Sequence, residues 1–191
     1  MGATISGKTI SDKVCIRRLG LPGDLGWVVM AHGQIYTAEF GWDSSFETLV
    51  ARIVADYATQ HDPAREAAWI AELDGERVGC VFCVTDEDDV VGGGEDDVAA
   101  DRVARVDTAK LRILLVHPDG RGLGIGGLLV DTCLLFAREA GYQRIRLWTN
   151  DPLVAARQVY LQRGFALVAQ EPHHSFGVDL LGQTYELELA D

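Results

Sequence analysis

The stretch that most limits what this chain can become is His117-Pro118-Asp119-Gly120-Arg121-Gly122-Leu123-Gly124-Ile125-Gly126-Gly127. An apolar run, Leu111 to Val116, leads into it, and an amphipathic run, Leu128 to Ala140, leads out. That order predicts a strand, a glycine-rich turn and a helix. Glycine lets backbone approach a ligand closely and adopt positive φ. The first amides of the helix have no intrahelical partner and carry the positive end of its dipole. Such a unit is a phosphate cradle in waiting.

The residue pattern narrows the kind of cradle. No Lys-Ser or Lys-Thr follows the last glycine, so this is not a Walker loop. A dinucleotide fingerprint fails because Ile125 stands where its third glycine belongs. Arg121-x-x-Gly124-x-Gly126 instead resembles the pyrophosphate loop of the GNAT superfamily, the acetyl-CoA-dependent N-acyltransferases. Trp148-Thr149-Asn150, ending the next predicted strand, and Tyr160-x-x-x-Gly164-Phe165, closing the next helix, match the same pattern. The resemblance covers roughly residues 13 to 190. It is closest to acetyltransferase domains that in some bacterial proteins follow a MarR-type DNA-binding domain, a segment not visible in this sequence.

Composition agrees with one such domain. The chain has 191 residues and is 48% hydrophobic, enough for a single core. No apolar run reaches the length of a membrane span, and no signal-peptide pattern opens the chain, so a cytoplasmic protein without a membrane partner is expected. Lys and Arg number 17 against 29 Asp and Glu, a net charge of −12. That balance argues against a nucleic-acid partner, which needs a basic face. It suits a cationic acceptor such as an amine. Cys80-x-x-Cys83 lies in a strand-like run, where residues three apart face opposite sides. With no second Cys or His pair nearby, no metal is expected, and Cys15, Cys80, Cys83 and Cys133 read as small buried hydrophobes.

Taken in order, residues 1–12 form a flexible leader and 13–191 a single domain. Val14 to Leu19 reads as a first strand, and Asp24 as the cap of a helix from Leu25 to about Thr37 with Trp27, Met30 and Ala31 on its apolar face. Tyr36 to Asp43 breaks that pattern. Ser44-x-x-Glu47 is a capping box for a second helix with apolar residues at helical spacing. Ala68–Leu73 and Arg77–Thr85 read as a hairpin turned at Asp74-Gly75. Residues 86–107, with nine acids and Gly92-Gly93-Gly94, read as an acidic loop. Thr108–Val116 is strand four. The helix after the glycine turn should send Ile125, Leu128, Leu129 and Phe136 toward the sheet. Arg144–Trp148 is strand five, Asp151-Pro152 opens another helix, and Phe165–Val168 is strand six. Glu171–Gly177 reads as a loop, and Tyr185–Leu189 as the last strand. The expected fold class is α/β (α+β): a mixed, mostly antiparallel sheet of six or seven strands with about four helices, strands four and five parallel and splayed.

The resemblance implies roles for particular residues. Acetyl-CoA would be the cosubstrate, its pantetheine arm along Leu114, Leu115 and Val116 and near Asn150. Its pyrophosphate would lie on Arg121, Gly122, Leu123, Gly124, Ile125 and Gly126, with the Arg121 guanidinium adding charge. Tyr160 matches the tyrosine that protonates the departing sulfur. Tyr36, Glu39, Trp42 and Asp43 would contact the acceptor, because the segment joining the first two helices lines that site in the family. His173, a further acceptor contact, and His174, a catalytic candidate, lie before the last strand, and imidazole titrates in the useful range. The glutamate that some members carry on strand four is replaced by Lys110, so the base is open among His117, His173, His174, Glu39 and Glu72. The leading expectation is N-acetylation of a small-molecule or amino-acid-like primary amine, with a homodimer compatible. Acetylation of a protein N-terminus or lysine, or a non-catalytic acyl-CoA-binding module, are the alternatives. An open groove would favour a protein acceptor, and a pocket closed by Tyr36–Asp43 and His173–Gly177 a small one.

Overall fold

A computed structural model describes residues 14–86 and 107–189. The leader at 1–12 and residues 87–106 of the acidic segment lie outside the described residues. The elements run β1 (Val14–Arg18), α1 (Asp24–Phe40), α2 (Ser44–Gln60), β2 (Ala67–Leu73), β3 (Glu76–Thr85), β4 (Thr108–Val116), a 3-10 turn at Pro118–Gly120, α3 (Ile125–Glu139), β5 (Arg144–Asn150), α4 (Val154–Gln162), β6 (Ala166–Ser175) and β7 (Val178–Glu188). One seven-stranded sheet has the order β1-β2-β3-β4-β5-β7-β6. Every neighbouring pair is antiparallel except β4–β5, which is parallel. This is the expected fold class, with seven strands and four α-helices among the described residues.

Alternation along the strands divides the interior into two layers. Trp69, Val81, Cys83, Leu111, Ile145 and Leu147 pack with α3 and with Tyr160 of α4. Ile70, Cys80, Phe82 and Leu115 pack beneath α1 and α2. Cys80 and Cys83 thus serve opposite layers. Cys15, expected inside, is exposed.

Several element limits differ from the expectation, each for a local reason. α1 continues to Phe40 because His32, Tyr36 and Phe40 stack at i, i+4 spacing, and it stops at Gly41 with φ 69°. Tyr36 and Glu39 therefore sit on the helix, and Gly41–Asp43 alone forms the connection. Asp24 is no cap. It is the first helical residue, fully buried, and its carboxylate is held by Arg17 and Arg77 at 2.8 and 2.7 Å and by the amides of Gly20 and Leu21. These partners hold that carboxyl well below the usual carboxylate range, the Arg17 bond foremost. Met30 and Leu128 are exposed, because Val28, Ala31 and Ile35 set the inward phase of α1 and Ile125, Leu129, Val130 and Cys133 that of α3. α4 begins at Val154, leaving Pro152 in the preceding turn. Residues 171–175 are strand rather than loop. β6 and β7 form a long hairpin closed at Phe176-Gly177, both at positive φ.

Candidate active site

The site is an opening in the sheet between its two parallel strands. β4 and β5 pair from Thr108↔Arg144 to Leu111↔Leu147 and then part. A bulge drives the separation. Leu115 pairs with Cys80 but Arg112 with Phe82, so Ile113 and Leu114 together oppose Val81. Ile113 holds φ at 44°, a region that β-branched residues rarely enter. Two cavities fill the opening, of about 650 and 410 Å³. They share Tyr36, Leu114, Leu153 and Ala156 and so meet at the middle of the gap.

The glycine stretch walls the smaller cavity. Gly122 and Gly124 have φ of 76° and 77°, and a Cβ on either would point into open space with nothing within 4 Å. Gly124 is the N-cap of α3, without a side-chain cap, so the first amides of α3 lack side-chain acceptors there. Leu114, Leu115, Val116, Arg121, Ile125 and Gly126 also line this cavity, whereas Leu123 packs against the core. Arg121 donates from Nε to the Val116 carbonyl at 3.3 Å, and its Nη2 lies 2.7 Å from Glu39. Glu39 therefore faces the glycine loop across the smaller cavity, not the larger one. His117 acts as a turn residue, its Nδ1 accepting from the Asp119 amide.

The larger cavity holds most of the remaining candidates. Tyr160 is 4% exposed, packs 5.8 Å from Phe165 and lines this cavity. Burial pushes its hydroxyl pKa up, so the group stays protonated. Asn150 ends β5 at the cavity wall, its Oδ1 2.9 Å from His173 Nε2. With a neutral ring, Nε2–H donates to Asn150 and Nδ1 accepts from the Ser175 hydroxyl at 2.9 Å. The His173 ring also lies against Trp148. Trp42 is buried at the opposite wall, packed between Phe46 and Phe176. The Asp43 amide donates to the Phe176 carbonyl at 3.0 Å, which fastens the α1–α2 connection to the β6–β7 turn. Asp43 itself lines neither cavity. It caps α2, accepting from Ser45, and that bond lowers its pKa. His174 also lies outside both cavities. It alternates with His173 on β6, is 69% exposed and pairs with Asp179 at 2.7 Å.

Sequence reasoning did not single out His32, Phe46, Arg112 or Arg146, which line the larger cavity with Lys110. His32 carries a signal of sorts: it lies one helical turn before Tyr36 and stacks on it with ring centres 5.7 Å apart. The cationic trio is brought together by sheet register, which no local pattern reveals. Among the described residues, no group of three or more His, Cys, Asp or Glu side chains comes together as a metal site would.

Comparison with known proteins bears on this geometry directly. The sequence model of the acetyltransferase (GNAT) family matches residues 32–165. The chain belongs to that family. It is accordingly an acyltransferase by membership of that family. An uncharacterized N-acetyltransferase of Schizosaccharomyces pombe is 26% identical over 85% of this chain and 88% of its own. An N-acetyltransferase of Staphylococcus aureus Mu50 shares the fold with a TM-score of 0.69 at 17% identity, over 93% of this chain and 99% of that one. A Salmonella typhimurium protein described as an acetyltransferase, solved with its cofactor acetyl-CoA, shares it with a TM-score of 0.66 at 18% identity, over 94% and 95%.

Proposed function

We propose that this acetyltransferase moves the acetyl group of acetyl-CoA to the primary amine of a small-molecule or amino-acid-like acceptor. One observation carries the reading: the gap between β4 and β5 opens into two joined cavities, one ending on the glycine loop and the other on Tyr160. The first suits the coenzyme and the second an acceptor. The pyrophosphate would sit on amides from Arg121 to Gly126, with the Arg121 guanidinium as its cation. The pantetheine arm would run along Leu114, Leu115 and Val116 toward Asn150. Acetyl-CoA bound to the Salmonella protein of the same fold supports this placement.

In the reaction, the neutral amine nitrogen bonds to the thioester carbon, the C–S bond breaks, the departing thiolate takes a proton from the Tyr160 hydroxyl, and the proton shed by the nitrogen passes through water to restore that hydroxyl. Tyr36 and Trp42 then bound the acceptor, and His173, which lines neither cavity, acts through its hydrogen bond to Asn150. His174 and Asp43 are left out of this assignment because neither lines a cavity and neither side chain bonds to a residue that does. Glu39 belongs with the coenzyme end, through its contact with Arg121.

The small acceptor is favoured over a protein by the aromatic wall on one side of the larger cavity, to which Trp42 and Phe46 contribute. Trp42, Phe46 and Phe176 pack into one aromatic wall, with centroids 4.7 to 5.0 Å apart, joining the α1–α2 connection to the β6–β7 turn. We further take the chain to be an acetyltransferase domain of the kind that follows MarR-type domains, with a leader at 1–12, acting in the cytoplasm where acetyl-CoA is used. Thiol release from acetyl-CoA across a panel of small amines and peptides tests the reading. Release that depends on a small amine is expected. Release with peptides alone would move the assignment to a protein acceptor, and binding of acetyl-CoA without release to any acceptor would support the non-catalytic module.

A further inference from the structure

Trp148 lines the larger cavity and is 41% exposed, yet the fold holds its indole from two sides. In the β5–β7 register Trp148 stands opposite Thr184, and Asn150 opposite Gly182. Gly182 is thus the diagonal neighbour of Trp148 on the same face of the sheet. β7 is an inner strand, between β5 and β6, where a glycine weakens the sheet. Gly182 does not have positive φ, so backbone conformation does not call for glycine there. The indole does. A Cβ on Gly182 would lie 2.9 Å from Trp148 Nε1 and 3.0 Å from its Cζ2. The ring therefore fills the room that a side chain at 182 would take. His173 packs against the same ring with centres 5.3 Å apart, and is itself hydrogen-bonded to Asn150 and Ser175.

The rest of this cavity offers a ligand mainly apolar surface. Phe46, Leu49 and Leu153 line it half-buried, and Val168 lines it 51% exposed. The charged side chains on its floor are answered within the fold. Lys110 and Arg146 pair with the buried Asp86 at 3.1 and 3.0 Å, and Arg146 with Glu186 at 2.7 Å. Arg112 is not without a partner either. Covering exposed apolar surface is what a ligand can gain here. A cavity of about 650 Å³ with aromatic walls suits a ligand with an apolar body, more than a short alkylamine supplies. An indole kept in one orientation adds a geometric preference, because a flat ring packs best on another ring.

We propose that the acceptor amine carries a flat aromatic ring on a short tether, and that Trp148, oriented by Gly182 and His173, is the face on which that ring stacks. The inference rests on the acetyl-transfer reading above and names its substrate class. Trp148 and Tyr160 line the same cavity, so one ligand can meet both.

The test compares three acceptors by thiol release from acetyl-CoA: 2-phenylethylamine, 2-cyclohexylethylamine and 2-methoxyethylamine. All three present a primary amine on a two-carbon tether. The cyclohexyl compound keeps the apolar bulk and loses the flat face, and the methoxy compound loses both. The phenyl amine is expected to exceed the cyclohexyl amine in kcat/KM by about two- to tenfold, the range of an aromatic pair beyond its buried area. It should exceed the methoxy amine by about ten- to a hundredfold, the range for burying an aromatic side chain. Trp148→Leu should bring the phenyl-to-cyclohexyl ratio close to one, and Trp148→Phe should restore part of it. Gly182→Ala, which displaces the indole without touching the cavity's other walls, should lower the same ratio. Calorimetry should show unchanged acetyl-CoA binding in all three variants. Calorimetry of N-acetyl-2-phenylethylamine and its cyclohexyl analogue with CoA-loaded protein reads the platform without turnover, and the phenyl compound should bind tighter. A phenyl-to-cyclohexyl ratio near one in wild type, or one that survives Trp148→Leu, overturns the stacking face while acetyl transfer stands. A ratio unmoved by Gly182→Ala overturns the bracing by glycine. Acetyl-CoA binding with no aromatic amine accepted overturns the substrate class. Failure of acetyl-CoA itself to bind overturns the acetyl-transfer reading and this inference with it.

Discussion

The Glu39 carboxylate lies 2.7 Å from the Arg121 guanidinium and so joins the last turn of α1 to the glycine loop. Both residues line the smaller cavity, and the same guanidinium is the cation proposed for the coenzyme pyrophosphate. Glu39 therefore competes with a bound phosphate for Arg121. Partly exposed ion pairs of this kind contribute about 0.2 to 1 kcal/mol. Glu39→Gln is expected to tighten acetyl-CoA binding by about two- to fivefold by calorimetry. The gain should diminish in high salt, which screens the pair. Weaker binding in the variant would mean that Glu39 supports the loop instead of competing with the ligand.

Gly124 offers a sharper test of the cradle. Its φ of 77° disfavours any L side chain, and a Cβ there would enter the open space proposed above for the pyrophosphate. Gly124→Val should weaken acetyl-CoA binding by at least about tenfold while circular dichroism shows the fold retained. Unchanged affinity would remove the loop from the binding site.

The strand–turn–helix around Gly122 and Gly124 was legible in sequence because glycine spacing reports backbone conformation directly. The second helix was legible for a similar reason: Phe46, Leu49, Val50, Ile53, Val54 and Tyr57 keep one period throughout. The β6–β7 hairpin was not. Pro172 and two histidines look like loop residues, yet β6 is the sheet edge, where a proline breaks no ladder. The charged floor of the larger cavity was hidden for a different reason. Lys110, Arg146 and Glu186 are neighbours only through register across three strands. Of the residues expected on the inner face of α3, Leu128 alone is exposed: it is as apolar as Leu129 beside it, and only packing decides between them.

His32 gives a pH prediction. Its Nδ1–H donates to the Val28 carbonyl at 2.8 Å, and its Nε2 is the buried side-chain polar atom left without a partner among the described residues. Burial pushes its pKa down from 6.5 to about 4. The unfolded chain then takes up a proton below about 6.5 that the folded chain refuses until about 4. The stability in question is complete above the unfolded value and is lost as pH falls toward the folded one. The loss by pH 4 should reach on the order of 2 to 3 kcal/mol. Urea unfolding of wild type and His32→Phe at several pH values measures it. The ring replaced by phenylalanine keeps the stack with Tyr36 and Phe46, and the variant's curve should be flatter across that window. Parallel curves would show that His32 is not the group responsible.

Tyr160 separates catalysis from packing. Its ring belongs to the core cluster with Phe165, while its hydroxyl is the proposed proton donor to the departing thiolate. Burial keeps that hydroxyl protonated. Tyr160→Phe removes only the oxygen. Acetyl-CoA affinity should barely change, since the glycine loop is untouched. Turnover should fall by about ten- to a thousandfold, the range of a lost general acid partly replaced by water. A loss in kcat at constant coenzyme affinity marks an interaction made in the transition state. If the variant loses stability and coenzyme binding together, Tyr160 is a packing residue. If it keeps full turnover with its acceptor, solvent or another hydroxyl protonates the sulfur, and Tyr36, which lines both cavities at their junction, becomes the group to replace next.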